Sequence, residues 1–203
     1  MHEKKKDHRF SRRSILATAP LVPLVRISAA ASTESAFPPA QLRVIEAMVD
    51  RLIPGDENGP GARDSGVATY IDRSFAGALA PERARFIAGL AAIDEFARNT
   101  HHASFAELDP GQRDQVLTAM ENNEAAGFSP DSRTFFHRVR QLTLEGMFGD
   151  PFYGGNRGFA GWDLIRYPGP RLAVAPEEQK LREPIKPLRA SARPSAQGAR
   201  HVR

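Results

Sequence analysis

Residues 81–98, PERARFIAGLAAIDEFAR, place Phe86, Leu90, Ile93 and Ala97 at i, i+4, i+7 and i+11. Phe96 widens the same apolar stripe, while Glu82, Arg83, Arg85, Asp94, Glu95 and Arg98 mostly occupy the other faces. This is the 3.6-residue repeat of a helix that turns one face to a core. The repeat recurs on both sides. Upstream, Leu42, Ile45, Met48, Val49 and Leu52 predict a helix over 39–53 that stops at Pro54-Gly55, and Val67, Tyr70, Ile71 and Phe75 predict another over 67–79. Downstream, Asp109 stands before Pro110 and three residues before Gln112, the pattern of a capping box with proline in the first turn. A fourth helix is therefore expected over 110–122, using Val116, Leu117 and Met120. Ser129-Pro130 opens a fifth, carrying Phe135, Phe136, Val139, Leu142, Thr143 and Met147 and ending near Gly149. No stretch alternates with the period of two that a half-buried strand needs. The expected fold is all-α, a compact bundle of about five helices within residues 36–170.

Two stretches break the helical pattern. Residues 54–66, PGDENGPGARDSG, have four glycines, two prolines and no apolar period, and read as a loop. Residues 150–170, DPFYGGNRGFAGWDLIRYPGP, are dense in Gly, Pro and aromatics. That composition predicts an irregular segment whose rings pack while its glycines take backbone angles closed to other residues. Beyond Arg171 the aromatics vanish and Pro, Ala, Arg and Ser dominate, which predicts a basic, unstructured tail from about residue 175.

The N-terminus has a different order. Lys4, Lys5, Lys6 and Arg9 precede Ser11-Arg12-Arg13-Ser14-Ile15-Leu16, a short apolar run to Val25 follows, and Ala29-Ala30-Ala31 fits an A-x-A cleavage site. Charged region, apolar region and small-residue exit are the parts of a secretory signal. The apolar run of about eleven residues is short of the roughly 17 to 25 that span a bilayer. Paired arginines flanked by Ser11 and followed by Ile15 and Leu16 look like a twin-arginine signal, an address read by the twin-arginine translocase. Residues 1–31 are accordingly expected to be a signal peptide and the chain to be periplasmic. The competing reading is a basic N-terminal tail that happens to hold Arg-Arg.

Charge follows the same divisions. The whole chain is +4, but residues 1–13 are +4, Arg26 adds one, residues 32–170 hold 13 Arg, no Lys and 19 acids for −6, and residues 171–203 are +5. An acidic body argues against nucleic acid as a partner, although the overall pI is near 9.7. The absence of cysteine excludes disulfides, thiolate metal sites, c-type haem attachment on this chain and a cysteine nucleophile.

Few residues offer chemistry. Gly154-Gly155 lacks the strand, helix and spacing of a dinucleotide site. His101-His102 has no further histidine at helical spacing and reads as a solvated turn, and His137 sits beside Phe136 near an apolar face, where a structural role is expected. Asp56, Glu57, Asn58 and Asp64 would offer oxygens to calcium, but they lack the alternating register and closing Glu of an EF-hand, and turn chemistry accounts for them. No pair of acids is singled out for hydrolysis. No metal site and no cofactor are expected on this chain.

A set of residues then forms a recognisable pattern. The twin-arginine start, Leu52-Ile53-Pro54-Gly55 followed by Pro60-Gly61-Ala62 and Gly66-Val67, Tyr70-Ile71-Asp72, Phe135-Phe136 with Glu145-Gly146, and above all Asp150-Pro151-Phe152-Tyr153-Gly154-Gly155-Asn156 with Trp162 and Tyr167-Pro168-Gly169 resemble the gluconate 2-dehydrogenase subunit 3 family. The resemblance covers roughly residues 9–170. Arg166 departs from it, because a small residue such as glycine is expected before Tyr-Pro-Gly. The resemblance implies a non-catalytic small subunit that carries the export signal for, and stabilises, an FAD-dependent sugar or sugar-acid dehydrogenase associated with the membrane. FAD would reside on that partner, and haem c on a third, multihaem cytochrome subunit. Asp150, Pro151, Phe152, Tyr153, Gly154, Gly155, Asn156, Phe159, Trp162, Tyr167, Pro168 and Gly169 are the candidates for partner contact, because aromatic anchors dominate many interfaces. The same rings would also suit the closing of a helical core. The alternatives are an independent periplasmic enzyme and a sugar-binding module.

Overall fold

A computed structural model describes residues 35–171, 173, 176–179 and 185–193. These all fall in one compact unit, Ala31–Arg203. The export residues Ser11, Arg12, Arg13, Ile15 and Leu16 lie outside the described residues.

Among the described residues there are six α-helices: α1 Pro39–Leu52, α2 Val67–Ala76, α3 Arg83–His101, α4 Pro110–Glu121, α5 Ser132–Phe148 and α6 Ala160–Leu164. Among the described residues there is no strand, only an isolated bridge between Asp56 and Gly59. The all-α expectation holds, with five long helices where the apolar periods lie. The sixth is one short turn inside the segment that composition marks as irregular.

Local chemistry sets the helix ends. The Asp109 carboxylate accepts from Gln112 N–H while the Gln112 side chain accepts from Asp109 N–H, so α4 has the capping box its sequence predicts. α5 starts at Ser132 and not at Ser129, because Asp131 accepts from both the N–H and the hydroxyl of Thr134. α2 stops at Ala76, three residues short of the expected end, where Gly77 leaves helical geometry. α3 begins only after a 3-10 turn, Ala80–Glu82, and runs on to His101 before His102 turns left-handed.

α5 is the hub, with contacts to each of the other five helices. Its buried face, Phe136, Val139, Leu142, Thr143, Gly146 and Met147, meets Ile45, Met48 and Val49 of α1, Val67 and Ile71 of α2 and Val116 and Met120 of α4 in one core. Burying such side chains stabilises by about 1.5–3 kcal/mol each before chain entropy is subtracted. A run of rings ties four parts of the chain together: Phe37 to Phe75 at 5.3 Å, Phe75 to Phe86 at 4.4 Å and Phe86 to Phe135 at 5.3 Å. Phe37 enters this run because Asp72 Oδ1 on α2 accepts from the Ser35 hydroxyl and from the N–H groups of Ala36 and Phe37. The first described residues are thereby fastened to the bundle.

In the acidic loop, Asp56 and Asn58 are joined in a turn. The Asp56 carboxylate accepts from the N–H and side-chain amide of Asn58, which holds it below the usual carboxyl range and closes a turn. Among the described residues no three His, Asp or Glu gather as a metal cluster, and no helix is long and apolar enough to cross a membrane. His137 is exposed, its ring edge-on to Phe136 at 5.8 Å.

Candidate partner interface

The segment after α5 is built on the end of that helix. The N–H of Gly149 closes α5 onto the Glu145 carbonyl, and Asp150 caps the next turn, Pro151–Tyr153, by accepting from Phe152 N–H. The chain then doubles back so closely that Gly155 lies on the Gly146 carbonyl and Gly161 on the Met147 carbonyl; a Cβ at either position would overlap those oxygens. Asn156 locks the return. It is fully buried, its side-chain NH₂ donates to the Gly149 carbonyl at 2.8 Å, and its Oδ1 accepts from Gly161 N–H at 2.8 Å. One amide therefore joins the end of α5 to the start of α6. Trp162, 6% exposed, adds a third tie by donating from Nε1 to the Phe148 carbonyl at 2.9 Å. Arg157 fastens the segment to the start of α2, donating from its N–H to Ser65 and from its guanidinium to Thr69.

This return takes unusual backbone. Gly154, Asn156, Gly158, Phe159, Arg166 and Gly169 all have positive φ. Left-handed geometry is ordinary for glycine, tolerated by asparagine, and costs other L-residues about 1–2 kcal/mol. Phe159 and Arg166 carry that cost. Arg166, with φ 54°, is the position at which the family resemblance leads one to expect a small residue. Arg166→Gly is expected to stabilise the domain by about 0.5–1 kcal/mol, the relief of left-handed strain less the extra freedom of glycine in the unfolded chain. Thermal unfolding decides this, and a lower midpoint would show that the arginine side chain holds more than its backbone costs.

The twelve candidate contact residues divide into three groups. Gly155, Asn156, Trp162 and Gly169 are buried and close the fold, and Asp150, Pro151, Gly154, Phe159 and Pro168 are half-buried. Phe152, Tyr153 and Tyr167 face solvent at 45%, 43% and 39% exposure. Phe152 and Tyr153 stand edge-to-face at 5.3 Å, and Tyr167 packs on Trp162 at 4.9 Å. Leu164 and Ile165, which are not among the twelve, are 43% and 54% exposed at the end of α6. Their neighbours Trp162 and Tyr167 draw attention by type, whereas two aliphatic residues in an irregular segment have no period to betray their direction. Of the seven large apolar side chains that stand exposed among the described residues, five lie between residues 152 and 167. Single exposed apolar residues are ordinary, and a concentration of them in one segment marks an interaction surface.

Composition predicts that the chain beyond residue 175 is unstructured, yet residues 185–193 lie back on this same segment. Leu188 N–H donates to the Pro168 carbonyl, Ala192 N–H donates to Asp150, and Arg189 meets both oxygens of Asp163 at 2.7 and 2.8 Å. The Arg193 guanidinium stands over the Phe152 and Tyr153 rings at 5.9 and 5.5 Å. Burial pushes the Asp150 carboxyl up, but hydrogen bonds from Ser191 and from the N–H groups of Phe152 and Ala192, with the Arg193 charge, bring it below its ordinary value. Asp150 is therefore ionised at neutral pH and able to hold both its own turn and the returning chain.

Two depressions among the described residues have volumes of about 140 and 220 Å³, against the roughly 300–1,000 Å³ of ligand pockets. Burial, and then the hydrogen bond it donates to Glu145, raise the phenol pKa of Tyr70, which keeps it protonated. The geometry supplies a rigid, partly apolar surface held by buried amide and glycine contacts. The model of the family described as Gluconate 2-dehydrogenase subunit 3 matches residues 39–169, from the first residue of α1 through the end of the aromatic segment. No curated protein and no solved structure matches the chain.

Proposed function

The chain belongs to the gluconate 2-dehydrogenase subunit 3 family, and on that footing we propose that it is the non-catalytic small subunit of an FAD-dependent dehydrogenase acting on a sugar or sugar acid. It docks on the catalytic flavoprotein, stabilises it, and supplies the twin-arginine address by which the pair reaches the periplasm. The observation that supports this reading best is the exposure of Phe152, Tyr153, Leu164, Ile165 and Tyr167 along a segment otherwise locked to the bundle. Aromatic side chains on a rigid support lose little entropy when they are covered, which suits them as anchors. FAD belongs to the partner in this reading, and any haem c to a multihaem cytochrome subunit.

The export part has its own test. R12K/R13K is expected to leave the dehydrogenase activity in the cytoplasm, because a lysine pair cannot reproduce the planar fork of guanidinium donors. Fractionation of cells expressing both subunits measures it. Periplasmic activity at the unaltered level would mean that the flavoprotein travels without this chain's address.

A further inference from the structure

We propose that residues 185–193 are a displaceable strap that lies across part of the docking surface of the free subunit, at Phe152 and Tyr153, and gives way when the catalytic subunit binds. The inference rests on the docking reading above and adds a competitor that is part of the same chain. The described long-range ties of the strap fall on the aromatic segment and on Arg171 just after it: Asp150, the Phe152 and Tyr153 rings, Asp163, Pro168 and Arg171. A partner anchored on Phe152 and Tyr153 would need the space that the Arg193 guanidinium fills. Strap and partner cannot both hold those ring faces.

The ties suit reversible closure. Arg189 and Asp163 are 57% and 41% exposed, so solvent screens their attraction. The rings under Arg193 are open to solvent on their other sides, which places the cation–π contact among the weak ones. Ordering the nine residues of 185–193 costs entropy against these gains. Closure is possible because the strap is tethered: Arg171 donates to the Lys186 carbonyl, and a short tether holds the strap at an effective concentration of order millimolar. A strap closed about 80–90% of the time raises the apparent dissociation constant of a competing partner about five- to tenfold.

Two measurements on the mature full-length chain test this. In the free subunit, the amides of Leu188 and Ala192 are expected to exchange hydrogen several-fold more slowly than in R189A/R193A; equal, fast exchange in both would remove the strap whatever the partner does. For binding, a chain ending at residue 184 is expected to bind the catalytic flavoprotein about five- to tenfold more tightly than the full chain. Equal or weaker binding would overturn the competition and make the tail a bystander or part of the interface. If neither form binds, the docking reading fails and displacement fails with it, while slow exchange in the free chain would still establish the strap.

Discussion

Asn156→Ala is expected to lower the stability of the domain by about 3–4 kcal/mol. Asn156 is fully buried, and its amide is the partner of both the Gly149 carbonyl and the Gly161 N–H. Truncation strands those two groups, and leaving a buried polar group unpaired costs about 1–3 kcal/mol each. Alanine must also take φ near 47°, where asparagine is tolerated better. Asn156→Gly removes the same hydrogen bonds but relieves the backbone, so it should be less damaging than alanine by about 1 kcal/mol. For a domain of this size a loss of 3–4 kcal/mol lowers the unfolding midpoint by roughly 10–15 °C. Denaturant unfolding of both variants measures it. A change below about 0.5 kcal/mol for the alanine variant, the spread of ordinary surface substitutions, would show that the clasp is replaceable by water.

The second large effect is on association and not on stability. The pair F152A/Y153A should weaken binding to the catalytic flavoprotein by roughly 30- to 1,000-fold, about 2–4 kcal/mol, which is the range of aromatic hot spots. Both rings are more than two-fifths exposed in the free subunit, so their removal should change its own stability by less than about 1 kcal/mol. Titration of the flavoprotein with each form, together with an unfolding curve, separates the two quantities. Since Arg193 rests on these rings, the comparison is best repeated in a chain ending at residue 184, where no strap competes. Binding within about threefold of the unaltered chain, well short of a hot-spot loss, would move the interface away from this surface.

What the sequence shows and what it hides divide along a similar line. The long helices are legible because Phe86, Leu90, Ile93 and Ala97 repeat with the helical period, and Asp109 with Gln112 announces a cap that the structure contains. The contacts that make the aromatic segment rigid are not periodic. The roles of Asn156, Gly155 and Gly161 depend on where the chain lies after it reverses, and a buried asparagine amide looks the same in a sequence as an exposed one. Trp162 and Tyr153 illustrate the same limit: both are aromatic residues in a Gly-rich run, yet one donates into the end of α5 and the other faces solvent. The return of residues 185–193 is hidden for a related reason, since its ties are a few exposed charges and main-chain groups that leave no trace in composition. Arg166 is the opposite case, where an expectation drawn from resemblance coincides with a left-handed backbone.

The position of α5 gives the outer surface a meaning beyond adhesion. The support for Phe152 and Tyr153 is the end of a helix that touches all five others, and Asn156 and Trp162 bind directly to its last carbonyls and to the residue that follows it. The ring pair can therefore stand in its observed arrangement only once that helix is seated among the rest. A protein that feels nothing but two side chains thereby senses whether the entire bundle has been completed. Under the docking proposed above, this arrangement would act as an inspection step: unfinished copies would present no grip, and a carrier that moves only finished cargo would be offered finished cargo.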